Sequence, residues 1–464
     1  MESRSLEYVV HACQGELLAG APAALVSGVS TDSRQTAAGD LFFAIVGEKF
    51  DAHDYLAEAA RKGAAAVVVA RAKAERTGGL PPSVGIVAVA DTRAALGRLA
   101  GCYRADFHLP MVAVGGSNGK TTTKELLASV LRQKFRTLWS EASFNNDLGV
   151  PLTLLKLEHQ HEAAVLEVGT NHPGELLPLL RMIQPRLGVL TNIGREHLEF
   201  FGDLEGVAQE EGWLAEYLPS SGMLFLNGDD PWVPAIVQRT QAHILSVGFG
   251  EQNLWRAKEA RVSEEGVTFT VTSPRVNFSG EYRLRLLGRH QVPNALLALA
   301  AGTELGVSPE QARRGLAECA PPKMRLQIWE ANGVRVLDDA YNANADSMLA
   351  ALQTLHDLPC AGRRVAVLGD MAELGPHSAQ AHSEVGRRTA ELGISRLVAI
   401  GKWSHETALA ARAAGLTDAR EFPDVSRAAA ALRAWVGPGD LVLLKASRVT
   451  GLEKVSEALR ATAP

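Results

Sequence analysis

Met111-Val112-Ala113-Val114 leads into Gly115-Gly116-Ser117-Asn118-Gly119 and then into Lys120-Thr121-Thr122-Thr123-Lys124. A short apolar run, a glycine-rich turn and a polar helix start predict a buried strand feeding a helix, the unit of parallel α/β sheets. Successive glycines allow backbone N–H groups to converge on phosphate oxygens, and the helix N-terminus adds a favourable dipole. Lys120 supplies a point charge for β- and γ-phosphates, and the Thr121 hydroxyl is a candidate ligand for Mg²⁺. The general P-loop spacing calls for glycine where Val114 stands, so the loop here is the shorter Gly115–Gly119. A glycine-rich turn without a ligand is the plainer alternative, but the Gly119-Lys120-Thr121-Thr122 ending weighs against it. The expected ligand is ATP, cradled by Gly116, Ser117, Asn118, Gly119, Lys120, Thr121 and Thr122.

A chain of 464 residues has room for about three domains. Its net charge of −5 lacks the basic excess of a nucleic-acid binder. Cys13, Cys102, Cys319 and Cys360 are scattered, which suggests neither a zinc site nor a disulfide framework. Reduced, buried thiols in a cytoplasmic protein are expected. The stretch Leu17–Val26 is short and broken by Gly and Pro, unlike a signal peptide. No apolar run reaches the length of a transmembrane helix.

Three blocks are expected, with boundaries near residues 108 and 322. Residues 1–108 alternate apolar runs (Leu41–Val46, Ala64–Ala70, Gly85–Val89) with helical stretches (Tyr55–Lys62, Arg93–Arg104). Residues 109–322 form a P-loop ATPase-type parallel sheet, with strands at Ala163–Val168, Leu187–Thr191 and Met223–Leu226. Between Ala257 and Leu287 the pattern shifts to a small antiparallel patch with strands Val267–Val271 and Tyr282–Leu286. Helices Pro293–Leu305 and Pro309–Ala317 follow, and Pro321-Pro322 marks a linker. Residues 323–464 alternate strands (Arg364–Leu368, Arg396–Ile400, Leu441–Leu444) with helices (His382–Leu392, His405–Ala414, Val425–Val436, Leu452–Arg460). That is a doubly wound, Rossmann-like domain.

In parallel sheets ligands gather at the carboxyl ends of strands. Lys120 and Thr121 follow the first strand of the central block, Glu167 ends the second, and His197 lies just past Thr191-Asn192. A carboxylate at Glu167 interrupts an apolar strand and needs a cation or a hydrogen-bond network. Metal ligation is one reading and a structural ion pair the other. His197 is a second candidate ligand, against the commoner fate of a satisfied core histidine. Ser30-Thr31-Asp32-Ser33-Arg34, before Gly39-Asp40-Leu41-Phe42, reads on its own as an Asx or Ser turn followed by a strand.

Together, Gly116–Thr122, Glu167-Val168-Gly169-Thr170-Asn171, Thr191-Asn192-Ile193-Gly194 with His197-Leu198-Glu199, Gly288-Arg289-His290 with Asn294, and Arg325 resemble the Mur ligase family. These ATP-dependent amide ligases build the peptide stem of bacterial peptidoglycan. Asn145–Pro151, Asp338–Asn344, Leu368–Gly375 and Lys445-Ala446-Ser447-Arg448 resemble the branch that adds D-alanyl-D-alanine to UDP-N-acetylmuramoyl-tripeptide. The resemblance implies phosphorylation of the tripeptide carboxylate by ATP, then attack on the acyl phosphate by the dipeptide amine. Lys120 and Mg²⁺ would offset the repulsion between the two anions.

By the same resemblance, Thr121, Glu167 and His197 hold magnesium, and Lys120, Glu167, His197 and Arg325 serve catalysis. Asn145 or Asn146 lies near phosphate, Asn294 at adenine, Asp339 at ribose and Arg325 near the γ-phosphate. Ser30, Thr31, Asp32, Ser33 and Arg34 become a UDP-binding element in the N-terminal domain. Tyr341, Asn342, Asn344, Lys445 and Arg448 become cleft residues in the C-terminal domain, which takes the dipeptide. Asp370 is a further cleft candidate, and Asp338 could equally be a structural cap. Two departures stand out. Ala446 replaces a usual glycine, and Glu211 stands where the family usually carries a carbamylated lysine. Glu211 is expected to supply that negative charge itself, although it is shorter; a solvated acidic face on Glu210-Glu211 is the alternative. A cytoplasmic monomer is expected. The competing readings are a sister Mur ligase, a folylpolyglutamate synthetase-like ligase, or an ATP-gated binding protein without ligase activity.

Overall fold

The computed structural model describes residues 1–461, which fall into two compact units. The first comprises Met1–Ala113, Phe135–Thr170 and Glu175–Arg186; the second comprises Val114–Lys134, Asn171–Gly174 and Leu187 onward. Both are α/β, as the alternating pattern predicts.

The first unit holds a sheet in the order Glu16–Ala19, Gly85–Val89, Ala66–Ala70, Asp40–Phe43, Gly28–Ser30. All its neighbours are parallel except Glu16–Ala19, which runs antiparallel at one edge. Ala66–Val69 are buried to the last atom, in keeping with near-continuous apolar runs in parallel sheets. The helix Thr92–Ala105 starts where Asp91 accepts from the N–H groups of Arg93 and Ala94. The same unit contains the parallel pair Thr137–Trp139 and Ala163–Glu167.

In the second unit, Leu187–Leu190, Met223–Asn227, His243–Gly248 and Trp255–Ser263 are successive parallel neighbours. Gly266–Thr272 and Gly280–Leu284 then add antiparallel, forming the expected patch. Trp255–Ser263, inside which the expected patch begins, pairs parallel on one side and antiparallel on the other. His243–Gly248 is absent from the expected strands; its first two residues are exposed, so no continuous apolar run marks it.

A six-stranded sheet in this unit is ordered Gln327–Ala331, Val334–Asp338, Leu441–Lys445, Arg364–Leu368, Arg396–Ile400, Ala419–Phe422. The first two strands form a hairpin that sequence reading left unassigned, though Asn332-Gly333 with positive φ at both residues is a hairpin signal. The remaining neighbours are parallel. Val442 and Leu444 face one layer with Val365, Val367 and Leu432, while helix Ala345–Asp357 packs across Leu441–Lys445 and Arg364–Leu368. That helix begins with a capping box between Asn344 and Ser347.

Among the described residues no helix is long and apolar enough to cross a membrane. All four cysteines are free, but only Cys13 and Cys319 are buried; Cys102 and Cys360 are partly exposed, contrary to expectation. Leu444 lies fully buried in a central strand. Leu444→Ala is expected to cost about 2–5 kcal/mol through lost burial and a residual cavity. A lower urea midpoint with unchanged slope would register it.

Candidate active site

The strand Met111–Gly115 is buried throughout and delivers the glycine turn to the start of helix Lys120–Leu131. Gly116 has φ +108, and a Cβ there would stand 2.4 Å from Thr191 Oγ1 and 2.9 Å from the Asn192 carbonyl. Gly119 has φ +84, and a Cβ would meet Asn294 Oδ1 at 2.6 Å. Both positions therefore require glycine for conformation and for space. The turn is braced by the segment after Leu187–Leu190. Ser117 N–H donates to the Asn192 carbonyl at 2.8 Å, Asn118 N–H to Asn192 Oδ1 at 3.1 Å, and Gly194 N–H to Ser117 Oγ at 2.7 Å. Thr191-Asn192-Ile193-Gly194 thus acts as the loop's scaffold. Asn294 sits against Gly119 and donates to Gln291 at 2.9 Å.

Charge concentrates around Lys120. Its ammonium donates to the Ser117 carbonyl and to Glu196 Oε2, each at 3.1 Å. Both side chains are largely buried, at 12% and 7% exposure. Glu211 is fully buried, so the solvated-face alternative does not hold. Its Oε2 accepts from Gly116 N–H at 2.7 Å, while its Oε1 is buried without a hydrogen-bond partner. Burial pushes the Glu211 carboxyl up to about 8; the Lys120 charge opposes this and Glu196 adds to it. Glu196 Oε1 is likewise buried and unpartnered. Sequence reading missed Glu196, which lies inside a charged run, Arg195-Glu196-His197, that resembles a solvated turn.

Residues far along the chain reach this loop. Arg325 donates to Thr121 Oγ1 at 3.1 Å and lies over the Tyr341 ring at 4.4 Å. Asn344 donates to Asn118 Oδ1 at 2.9 Å. His197, with φ +47, pairs through Nδ1 with Glu373, whose carboxyl is held below its usual range mainly by that hydrogen bond. Arg195 binds Asp346 at 2.7 Å and Glu384 at 2.5 Å. Lys445 pairs with Asp339 at 2.5 Å and donates to the Asn342 carbonyl at 3.2 Å, so the residue expected at ribose and one expected in the cleft hold each other. Arg448 is exposed beside Met324. Asp338 accepts from Ser456 and from Ala340 N–H, a structural use. Asp370 accepts from the N–H groups of Lys402 and Trp403.

Within the first unit, Glu167 ends its strand with 1% exposure. Its Oε1 accepts from Asn145 Nδ2 at 2.9 Å, and its Oε2 is buried without a partner. Asn146 Oδ1 instead accepts from Leu148 and Gly149 N–H, in the turn that leads into helix Gly149–Leu154. Asp32 accepts from Arg34 N–H and guanidinium, and Ser30 from Asp32 N–H, the turn that the isolated sequence suggests. Ser33 donates to Glu58, Thr31 follows Ser30 in the turn, and the Arg34 side chain is 81% exposed.

Among the described residues no group of three or more His, Cys, Asp or Glu is arranged to hold a metal ion. The orphaned buried oxygens of Glu167 and Glu211 are nonetheless the donor chemistry a hard divalent cation takes. Because the Glu211 pKa is raised from its ordinary 4.5 to about 8, the folded state binds the extra proton between those values. Stability is therefore expected to be full below about pH 4.5 and to decline as pH rises through about 8. Without added nucleotide or metal, Glu211→Gln should flatten that decline, measured as urea midpoints across the window.

Sequence profiles for the Mur ligase family, catalytic domain, the Mur ligase middle domain and the Mur ligase glutamate ligase domain match residues 25–104, 114–302 and 324–448. The UDP-N-acetylmuramoyl-tripeptide--D-alanyl-D-alanine ligase of Escherichia coli is 36% identical, over 99% of each chain. A crystal structure of MurF from Acinetobacter baumannii superposes with TM-score 0.89 at 32% identity, covering 99% of both chains. MurF ligase from Thermotoga maritima in complex with ADP gives TM-score 0.78 at 28% identity, covering 93% of this chain and 97% of that one. With a largely buried lysine at a strand-to-helix glycine turn and likeness along its whole length, the chain belongs to the Mur ligase family.

Proposed function

We propose that this protein joins D-alanyl-D-alanine to UDP-N-acetylmuramoyl-tripeptide with ATP, in the synthesis of peptidoglycan precursors. The observation that carries the reading is the convergence of Lys120, Thr121 and Arg325 at the glycine turn. Full-length identity of 36% to a ligase of that name supports the substrate assignment. Residues 1–108 would take the UDP substrate through Ser30–Arg34, 109–322 the nucleotide, and 323–464 the dipeptide.

The tripeptide carboxylate oxygen attacks the γ-phosphorus and ADP leaves, giving an acyl phosphate. The dipeptide amine then attacks the acyl carbon, and collapse of the tetrahedral intermediate expels phosphate and forms the amide. Lys120 and the helix N-terminus offset the repulsion between two anions in the first step. Arg325, oriented by Tyr341, adds charge at the transferred group. Thr121, His197 and Glu211 in the second unit, and Glu167 in the first, are each proposed as donors to Mg²⁺, which would supply further charge neutralisation. Asn294 and Asp339 would serve adenine and ribose. Asn145 would serve phosphate, leaving Asn146 to its turn, and Tyr341, Asn342, Asn344, Lys445 and Arg448 would line the dipeptide cleft. A monomer in the cytoplasm is the corresponding setting.

Incubation with the UDP-tripeptide, ATP and labelled dipeptide should release ADP only when both acceptor and donor are present, with a product of the amide's mass. Nucleotide turnover without that product would overturn the reading in favour of a nucleotide-gated binder. Lys120→Met should lower kcat by about a hundredfold or more. Glu211 is proposed to act without bound CO₂, so activity should persist in CO₂-depleted buffer. Loss of activity there, with rescue by bicarbonate, would refute that role.

A further inference from the structure

Glu196 is absent from every role assigned so far, yet its carboxylate pairs with the P-loop lysine. The contact is made by two nearly buried side chains at 3.1 Å, where a charge-assisted hydrogen bond is strong. It is also built. Gly194 N–H donates to Ser117 Oγ, and Glu196 N–H donates to the Gly194 carbonyl at 2.9 Å, so the turn carrying Glu196 is fastened to the loop carrying Lys120. On the next residue, His197 is held by Glu373, and on the preceding one Arg195 is held by Asp346 and Glu384. Glu196 therefore has little freedom to move away. Its second oxygen is buried and unpartnered, so the lysine is the main compensation for its charge.

A phosphate at the glycine turn relies on the same ammonium. A carboxylate beside it neutralises part of that charge and places a like charge near the phosphate oxygens. Accepting the ligase reading above, we propose that Glu196 is a positioning residue that holds Lys120 and weakens the grip of the loop on the β-phosphate, so that the diphosphate product is released. Glu211 does not substitute for it, because its bonded oxygen is engaged by Gly116 N–H rather than by the ammonium.

The test uses the full chain in EDTA, so that a metal bridging Glu196 does not enter, and measures the affinity of ADP and of AMP by calorimetry. Glu196→Gln should bind ADP about tenfold more tightly, the scale of one charge contact, with AMP affinity unchanged because AMP has no β-phosphate. Glu196→Asp, too short to keep the contact, should also tighten ADP, and it keeps the test open if the glutamine variant does not fold. The gain should vanish in the Lys120→Gln background, a non-additivity that a general structural effect would not produce. Unchanged or weaker ADP binding in both variants, or equal changes for ADP and AMP, would overturn the proposal. Failure of the ligase reading would appear differently, as a wild-type chain that makes no amide.

Discussion

The pairing of one ammonium with carboxylates beside a glycine turn governs how the rest of the second unit is arranged. Lys120 is placed by backbone geometry, since Gly116 and Gly119 both sit at positive φ with no room for a side chain. A nearly buried lysine would lose its charge to desolvation unless anions stood close by. Glu196 stands within hydrogen-bond distance, while the fully buried Glu211, whose carboxyl burial pushes up to about 8, accepts through Oε2 from Gly116 N–H. The carboxylates in turn are costly to bury, and each retains an unpartnered oxygen. Such an arrangement is a liability for folding alone and makes sense as a place where further charges are received.

The elements around it serve to hold that arrangement still. Asn192 uses its carbonyl and its side chain to fix Ser117 and Asn118, and Asn294 fills the space over Gly119. From the six-stranded sheet's side come Arg325 on Thr121 and Asn344 on Asn118. Asn344 is also the cap of helix Ala345–Asp357, so the start of that helix and the tip of the glycine turn are joined through one side chain. Tyr341, three residues earlier, supports the Arg325 guanidinium. A single short segment thereby ties a sheet to the glycine turn.

Local chemistry was readable in the sequence, and distant pairing was not. Gly116, Gly119 and Lys120 announce themselves because the turn, its conformational demand and its charge lie within a few residues. Glu167 is legible because a carboxylate in an apolar strand needs a partner, and Asn145 is found there. The partners of the loop are a different matter. Glu196 lies 76 residues from Lys120, Glu211 lies 95 from Gly116, and Arg325 lies 204 from Thr121. No periodicity encodes such distances, so resemblance named Arg325 and Glu211, while Glu196, which the motifs omit, went unnoticed. The strands tell the same story. Arg364–Leu368 and Arg396–Ile400 are buried apolar runs, whereas Gln327–Ala331 is half-exposed and edge-bound, with only Asn332-Gly333 to signal its hairpin.

His197 shows how far a strand-end rule carries and where it stops. The rule places it correctly after Leu187–Leu190, in the segment that braces the turn. It does not say what the ring touches, and the ring is engaged by Glu373. That carboxylate also sits at positive φ, in the segment Leu368–Gly375. Two residues in left-handed backbone meeting through a charge-assisted bond cost conformational energy that surface contacts seldom return. Such a pair is retained where its geometry is used, and here it fixes the orientation of an imidazole on the residue next to Glu196, the partner of Lys120.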